Sequence, residues 1–197
     1  MRNILKGEFE MKKEKVFEEA LSIPNILSYM RLLMIPLFVW RYLTAVTTTD
    51  YIIAAGIMVL SGITDFLDGF IARRYHQVTE LGKFIDPVAD KLTQAAIVVC
   101  LVFRFHMALY LTIIFVIKEI TQGLSCLFLY KKGKKLDGAL WYGKVSTAVF
   151  YLSMIILIGV PTLSSVVANG LIFITMAVLT FAFVMYMMIF MRMHKEE

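Results

Sequence analysis

The chain has 197 residues, of which 59% are hydrophobic and only 18% charged, with a mean hydropathy of +0.76. A soluble domain is about 45–50% apolar and about 25% charged, so this surplus exceeds what one small core can hide, and lipid must solvate much of the chain. The length suits one domain. The net charge of +5, which on a soluble protein would suggest nucleic acid, reads here as topology signals and anionic-lipid contacts, with no nucleic-acid partner.

Residues 1–22 form a polar juxtamembrane segment in which MKKEKVFEEALS can fold as a short helix on the membrane surface. The charged, apolar and small-residue order of a cleavable signal peptide is not expected there. Residues 23–197 hold six apolar runs, each near the roughly 20 residues a bilayer crossing needs. Their periods predict helices at about 24–45, 50–73, 83–104, 107–130, 143–161 and 166–191. The connections between the first two and between the third and fourth are short, which favours antiparallel neighbours. Cys100 and Cys126 lie inside apolar runs with no Cys-x-x-Cys pairing, and are expected as buried, inert thiols.

Basic residues crowd the N-terminal segment, Arg73/Arg74 to Lys83, KKGKK at 131–135 with Lys144, and the tail RMHK. The intervening connections hold none, or Arg104 alone. Every second connection is therefore basic. The positive-inside rule then predicts an all-α, multi-pass protein of the cytoplasmic membrane, with six transmembrane helices and both termini cytoplasmic.

That topology brings together the carboxylates of SGITDFLDGFIARRYHQVTELGKFIDPVADKL, residues 61–92. Asp65 and Asp68 fall near the cytoplasmic end of the second span, and Asp86 and Asp90 in the first turns of the third. Steps of three and of four put each pair on one helical face. Ionised groups at membrane depth are costly and mark a pathway or a site. Four facing carboxylates cannot all stay ionised without counter-charge. One or two divalent cations of the hard class, Mg²⁺, Mn²⁺ or Ca²⁺, would supply it. Taken singly, each carboxylate also suits a solvated helix end paired to Arg or Lys, and the set also suits the cation path of a transporter.

The pattern Asp65-x-x-Asp68-Gly69-x-x-Ala72-Arg73, eight residues, then Gly82-x-x-x-Asp86-x-x-x-Asp90 resembles the signature of the CDP-alcohol phosphatidyltransferase family at every fixed position. Pro24-Asn25-x-x-Ser28-x-x-Arg31 is similar to the segment that opens the first helix in that family. The resemblance covers roughly residues 23–190. It implies an integral membrane enzyme of phospholipid biosynthesis, forming a homodimer, in which an alcohol displaces CMP from CDP-diacylglycerol. It further implies two divalent ions, Mg²⁺ or Mn²⁺, on Asp65, Asp68 and Asp86. Asp90 would touch the second ion and act as general base on the attacking hydroxyl. Asp68, Gly69, Ala72, Arg73 and Gly82 would bind the CDP-lipid, the small residues leaving room for a nucleotide and Arg73 offering a bidentate fork. Close helix packing is the other use of Gly69 and Ala72.

An acceptor carrying phosphate needs fixed cations, for which Arg31, Lys83, Lys118 and Lys144 are candidates. Lys118 falls at mid-membrane depth, where an ion pair with Glu119 or an aspartate is the alternative. Lys118-Glu119 and Gly143-Lys144-Val145-Ser146-Thr147 resemble segments of the phosphatidylglycerophosphate synthase branch, with lysine where arginine is usual. This favours glycerol 3-phosphate as the alcohol. Cardiolipin synthesis from phosphatidylglycerol is the alternative, and inositol phosphate transfer a third. A divalent-cation transporter would need polar residues continuing across the membrane, whereas these stop in the cytoplasmic half.

Overall fold

The computed structural model describes residues 19–75, 79, 81–131 and 140–195. Among them the chain is all helical, with six helices: α1 Ile23–Leu43, α2 Thr48–Arg74, α3 Gly82–Val102, α4 Ala108–Lys131, α5 Trp141–Gly159 and α6 Ser165–Lys195. Each end falls within two residues of the sequence reading, except that α6 runs four residues further into the basic tail. The expected surface helix falls mainly in residues 1–18, and Lys132, Lys134 and Lys135 of the basic run fall in 132–139, outside the described residues.

Among the described residues five helices are long and apolar enough to cross a membrane: α1 and α5 throughout, α2 over Thr48–Ala72, α4 over Ala108–Leu129, and α6 over Ser165–Met193. The protein is an integral membrane protein by this measure and by its surface. Leu33, Phe66, Phe84 and Val166 are 67–82% exposed, a placement that lipid rewards and water would not. The helix outside this set is α3, whose first ten residues carry Lys83, Asp86, Asp90 and Lys91.

The chain divides into two compact units. The first runs to Ala45 and resumes over Ile53–Ala96, so it holds α1, most of α2 and the front of α3. Pro24 suits the first turn of α1, where its missing N–H has no helical partner to lose. The buried residues Pro24, Asn25, Ser28, Arg31, Phe38 and Tyr42 recur at helical spacing and make one stripe. That stripe is polar at its start and aromatic at its end. Thr79 starts α3: its Oγ1 accepts the Gly82 N–H at 2.9 Å and its carbonyl the Lys83 N–H at 3.2 Å, as an N-cap does.

The second unit holds Val46–Ile52 and everything from Ile97 on. Here α6 packs against α4 and α5. The fully buried Ala108, Ala168 and Ala182 are small enough for close helix approach, and Ile97, Leu101, Leu111, Met154, Leu157 and Ile172 fill the space between. Phe115 stacks on Phe150 at 6.1 Å. Arg104, the lone basic residue of its connection, donates from Nη2 to the Pro161 carbonyl at 2.6 Å and lies 4.7 Å from the Tyr51 ring. A cation there complements the carbonyl-rich end of α5. Cys100 is buried as expected, but Cys126 is exposed. An apolar run in a membrane protein can face lipid as well as protein, so apolar neighbours alone did not bury it.

Candidate active site

All four motif aspartates belong to the first unit, where α1 supplies groups that meet Asp65, Asp68 and Asp86. Arg31, 1% exposed, is the largest fully buried side chain among the described residues. Its Nη2 pairs with Asp68 Oδ2 and its Nη1 lies 2.7 Å from Asp65 Oδ1. The two carboxylates, three residues apart on α2, are thus held by one guanidinium. Asp68 is buried with it, while the Asp65 side chain is 53% exposed. One helix turn earlier on α1, the Ser28 hydroxyl faces three acceptors: Asp86 Oδ1, Asp68 Oδ2 at 3.5 Å and the Pro24 carbonyl at 3.1 Å. With a single proton it serves one of them at a time. It still brings an aspartate of α2 and an aspartate of α3 to one point.

Asn25 completes the α1 contribution. It is fully buried, donates from Nδ2 to the Glu19 carbonyl at 2.7 Å, and accepts from Thr79 Oγ1 at 3.2 Å. Gly82 sits against this pair. A Cβ there would lie 2.6 Å from Asn25 Oδ1 and 2.9 Å from Thr79 Oγ1, so the start of α3 reaches α1 only because residue 82 has no side chain. A small cavity of about 60 Å³ opens at the same place, lined by Pro24, Asn25, Ala72, Thr79, Gly82, Lys83 and Asp86. On α3, Asp90 receives the Gln94 amide, with Nε2 at 3.1 Å from each carboxylate oxygen. Lys91 Nζ lies 3.9 Å from Asp90 Oδ2.

The donor set is all oxygen and anionic, which suits a hard divalent cation. Among the described residues no three such side chains close around a single point, and the Arg31 guanidinium supplies the counter-charge for Asp65 and Asp68. The carboxylates fit a divalent ion in chemistry, and for an ion to take them up Arg31 would give up part of its hold.

The structure thus brings Asp65, Asp68, Asp86, Gly82 and Arg31 into one network and places Ala72 and Lys83 at its cavity. Arg31, expected as a ligand of the acceptor, has its own carboxylates as partners. Gly69 lies on α2 beside Asp68. Arg73 lies in the last turn of α2, with its side chain outside the described residues. Lys118 and Lys144 belong to the second unit. Lys118 is buried and pairs with Glu119, Nζ to Oε1 at 2.5 Å, as the alternative for it anticipated; Lys144 is exposed. Ser28 and Asn25 entered the sequence reading only as part of a motif, and Gln94 not at all. A polar residue one turn from a motif aspartate was the available signal.

Residues 21–191 match the family model described as CDP-alcohol phosphatidyltransferase. The chain belongs to the CDP-alcohol phosphatidyltransferase family. Among curated proteins it is similar to the CDP-diacylglycerol–glycerol-3-phosphate 3-phosphatidyltransferase of Escherichia coli (strain K12), 32% identical over 163 residues, which covers 81% of this chain and 88% of that one. The protein of the same name from Sodalis glossinidius (strain morsitans) is 34% identical over 145 residues, covering 72% of this chain and 79% of that one. As a family member the chain is a membrane phosphatidyltransferase.

Proposed function

We propose that the protein transfers the phosphatidyl group of CDP-diacylglycerol to glycerol 3-phosphate, giving phosphatidylglycerophosphate and CMP. The observation that carries this reading is the network in the first unit, where Ser28 and Arg31 of α1 gather the motif carboxylates of α2 and α3. The choice of alcohol follows the activity named for the relatives. The Lys/Arg distribution supports six spans, cytoplasmic termini and a site that opens to the cytoplasm. A homodimer belongs to the same family-based reading.

In this mechanism Asp65, Asp68, Asp86 and Asp90 would hold two divalent ions, Mg²⁺ or Mn²⁺, which supply charge neutralisation and orientation for the pyrophosphate. Arg31 holds Asp65 and Asp68 side by side beforehand with a charge that a guanidinium never gives up. Ser28 holds Asp86 toward the same point. Gly69 and Ala72 leave space for the nucleotide, Gly82 lets the start of α3 approach α1, and Arg73 grips phosphate. Lys144 serves the phosphate of the acceptor, Lys118 being paired with Glu119. Asp90 accepts the proton of the acceptor hydroxyl as its oxygen bonds to the phosphorus that bears diacylglycerol. The bond from that phosphorus to CMP breaks in line, and CMP leaves.

Purified protein given CDP-diacylglycerol and a panel of alcohols, with products resolved by mass, tests the reading. Phosphatidylglycerophosphate is expected; cardiolipin formed from phosphatidylglycerol alone would replace the acceptor assignment. Excess EDTA should abolish CMP release and Mg²⁺ or Mn²⁺ restore it. Asp90→Asn should lose about 10²–10⁴-fold in turnover while binding CDP-diacylglycerol normally, whereas Asp68→Asn should weaken binding as well. Near-normal turnover of Asp90→Asn would remove Asp90 from the base role.

A further inference from the structure

The four carboxylates are not held alike. Asp65 and Asp68 face a guanidinium, Asp86 a hydroxyl, and Asp90 the neutral amide of Gln94. Gln94 lies one turn beyond Asp90 on α3 and is only 4% exposed. A buried amide costs folding free energy unless it is bonded. The neighbouring Thr93 meets that requirement within the helix, by donating to the Ala89 carbonyl at 2.8 Å. Gln94 instead meets it on a carboxylate that the reaction uses. Its Nε2 is equidistant from both oxygens, at 3.1 Å, so the amide faces the carboxylate as a whole and not one of its oxygens.

We propose that Gln94 is a positioning residue for Asp90, holding the carboxylate from the helix side so that its outer face meets the hydroxyl of the acceptor. This rests on the reading of Asp90 as general base. A neutral donor orients a carboxylate without adding a full positive charge. Lys91 is the cation beside it, but at 3.9 Å and with a side chain 45% exposed it is screened by its surroundings. The partner also comes from the same helix, so Asp90 keeps its orientation when groups on α1 shift.

Gln94→Met removes the donor at nearly constant volume, and Gln94→Asn keeps the amide but draws it back by one carbon. Both should lower kcat about 10–100-fold, the usual cost of losing a group that orients a functional side chain. The KM values for CDP-diacylglycerol and glycerol 3-phosphate should stay within about two-fold. In the Asp90→Asn background, Gln94→Met should have little further effect, because the group it positions no longer accepts a proton. CDP-diacylglycerol affinity and melting temperature, measured on the same preparations, should match the parent. Undiminished kcat in either stable variant would overturn the proposal. So would a loss that multiplies fully with that of Asp90→Asn, or variants that melt too early to assay, each of which marks a purely structural residue. Full turnover by Asp90→Asn alone would instead bring down the base assignment, a separate and recognisable failure.

Discussion

Replacing Arg31 by methionine deletes the charge that α1 delivers to α2 and keeps most of the side-chain volume. Asp68, with 3% of its side chain exposed, would be left as a buried and uncompensated anion. Breaking a buried ion pair from one side typically costs about 3–5 kcal/mol. Asp65 adds little, since its side chain is 53% exposed and exposed pairs are worth about 0–1 kcal/mol. For chains of this length 1 kcal/mol moves the melting temperature by about 2–4 °C, so a drop of about 6–20 °C is expected in a metal-free preparation. The fluorescence of Trp40, on α1 itself, provides the readout. Arg31→Lys keeps a cation without the two-pronged fork and should fall by less. Excess Mg²⁺ should recover part of the loss in Arg31→Met by binding the folded state, about 2.7 kcal/mol at a hundredfold excess over Kd. A melting temperature for metal-free Arg31→Met within about 2 °C of the parent would refute the claim that this pair joins α1 to α2.

Gly82→Ala should destabilise by about 1–3 kcal/mol, because the added methyl meets Asn25 Oδ1 and Thr79 Oγ1 at 2.6 and 2.9 Å; thermal melting reads it, and an unchanged midpoint would discount the contact. Lys144→Ala should raise the KM for glycerol 3-phosphate about tenfold or more, the scale of losing a charged hydrogen bond, and leave hydrolysis of the CDP-lipid by water nearly unchanged. Equal losses in both reactions would remove Lys144 from the acceptor site. A cysteine at position 75 in a cysteine-free background should resist a membrane-impermeant reagent in intact cells, and ready labelling would refute the cytoplasmic placement of that turn.

Helix positions were legible because each apolar run is bounded by charge or by turn residues. The end of α6 was not, since its continuation to Lys195 needs no apolar residues: a helix need not stop where lipid does, and long basic side chains can reach water from it. The motif carboxylates were legible too, by spacing on their own helices. Their partners were not. Arg31 and Asp68 lie 37 residues apart, and Ser28 and Asp86 lie 58 apart. Periodicity says which face of a helix is polar, never which other helix faces it. Hence Arg31 read as a cation awaiting a phosphate, and Gly82 as room for a nucleotide before its contact with Asn25 was visible. Gln94 was hidden for a different reason: a single amide within TQAAIVV barely alters the apolar pattern of that stretch.

The helix that fails the apolar criterion is the one on which the proposed chemistry depends most. Lys83, Asp86, Asp90 and Lys91 all fall in the first half of α3, and charge at membrane depth is expensive unless it is paired or meets water. On the six-span reading, α3 enters the bilayer because much of that cost is met within the first unit. Thr79 caps its start, the Ser28 hydroxyl takes Asp86, and Gln94 takes Asp90. The same contacts that make the helix tolerable in lipid aim its carboxylates. An α3 made more apolar by Asp86→Leu and Asp90→Leu would cross a membrane more readily, yet it would have nothing left with which to hold a pyrophosphate or take a proton. On that reading the Ser28 hydroxyl of the PNILSYMR segment, by taking Asp86, would serve insertion and catalysis alike.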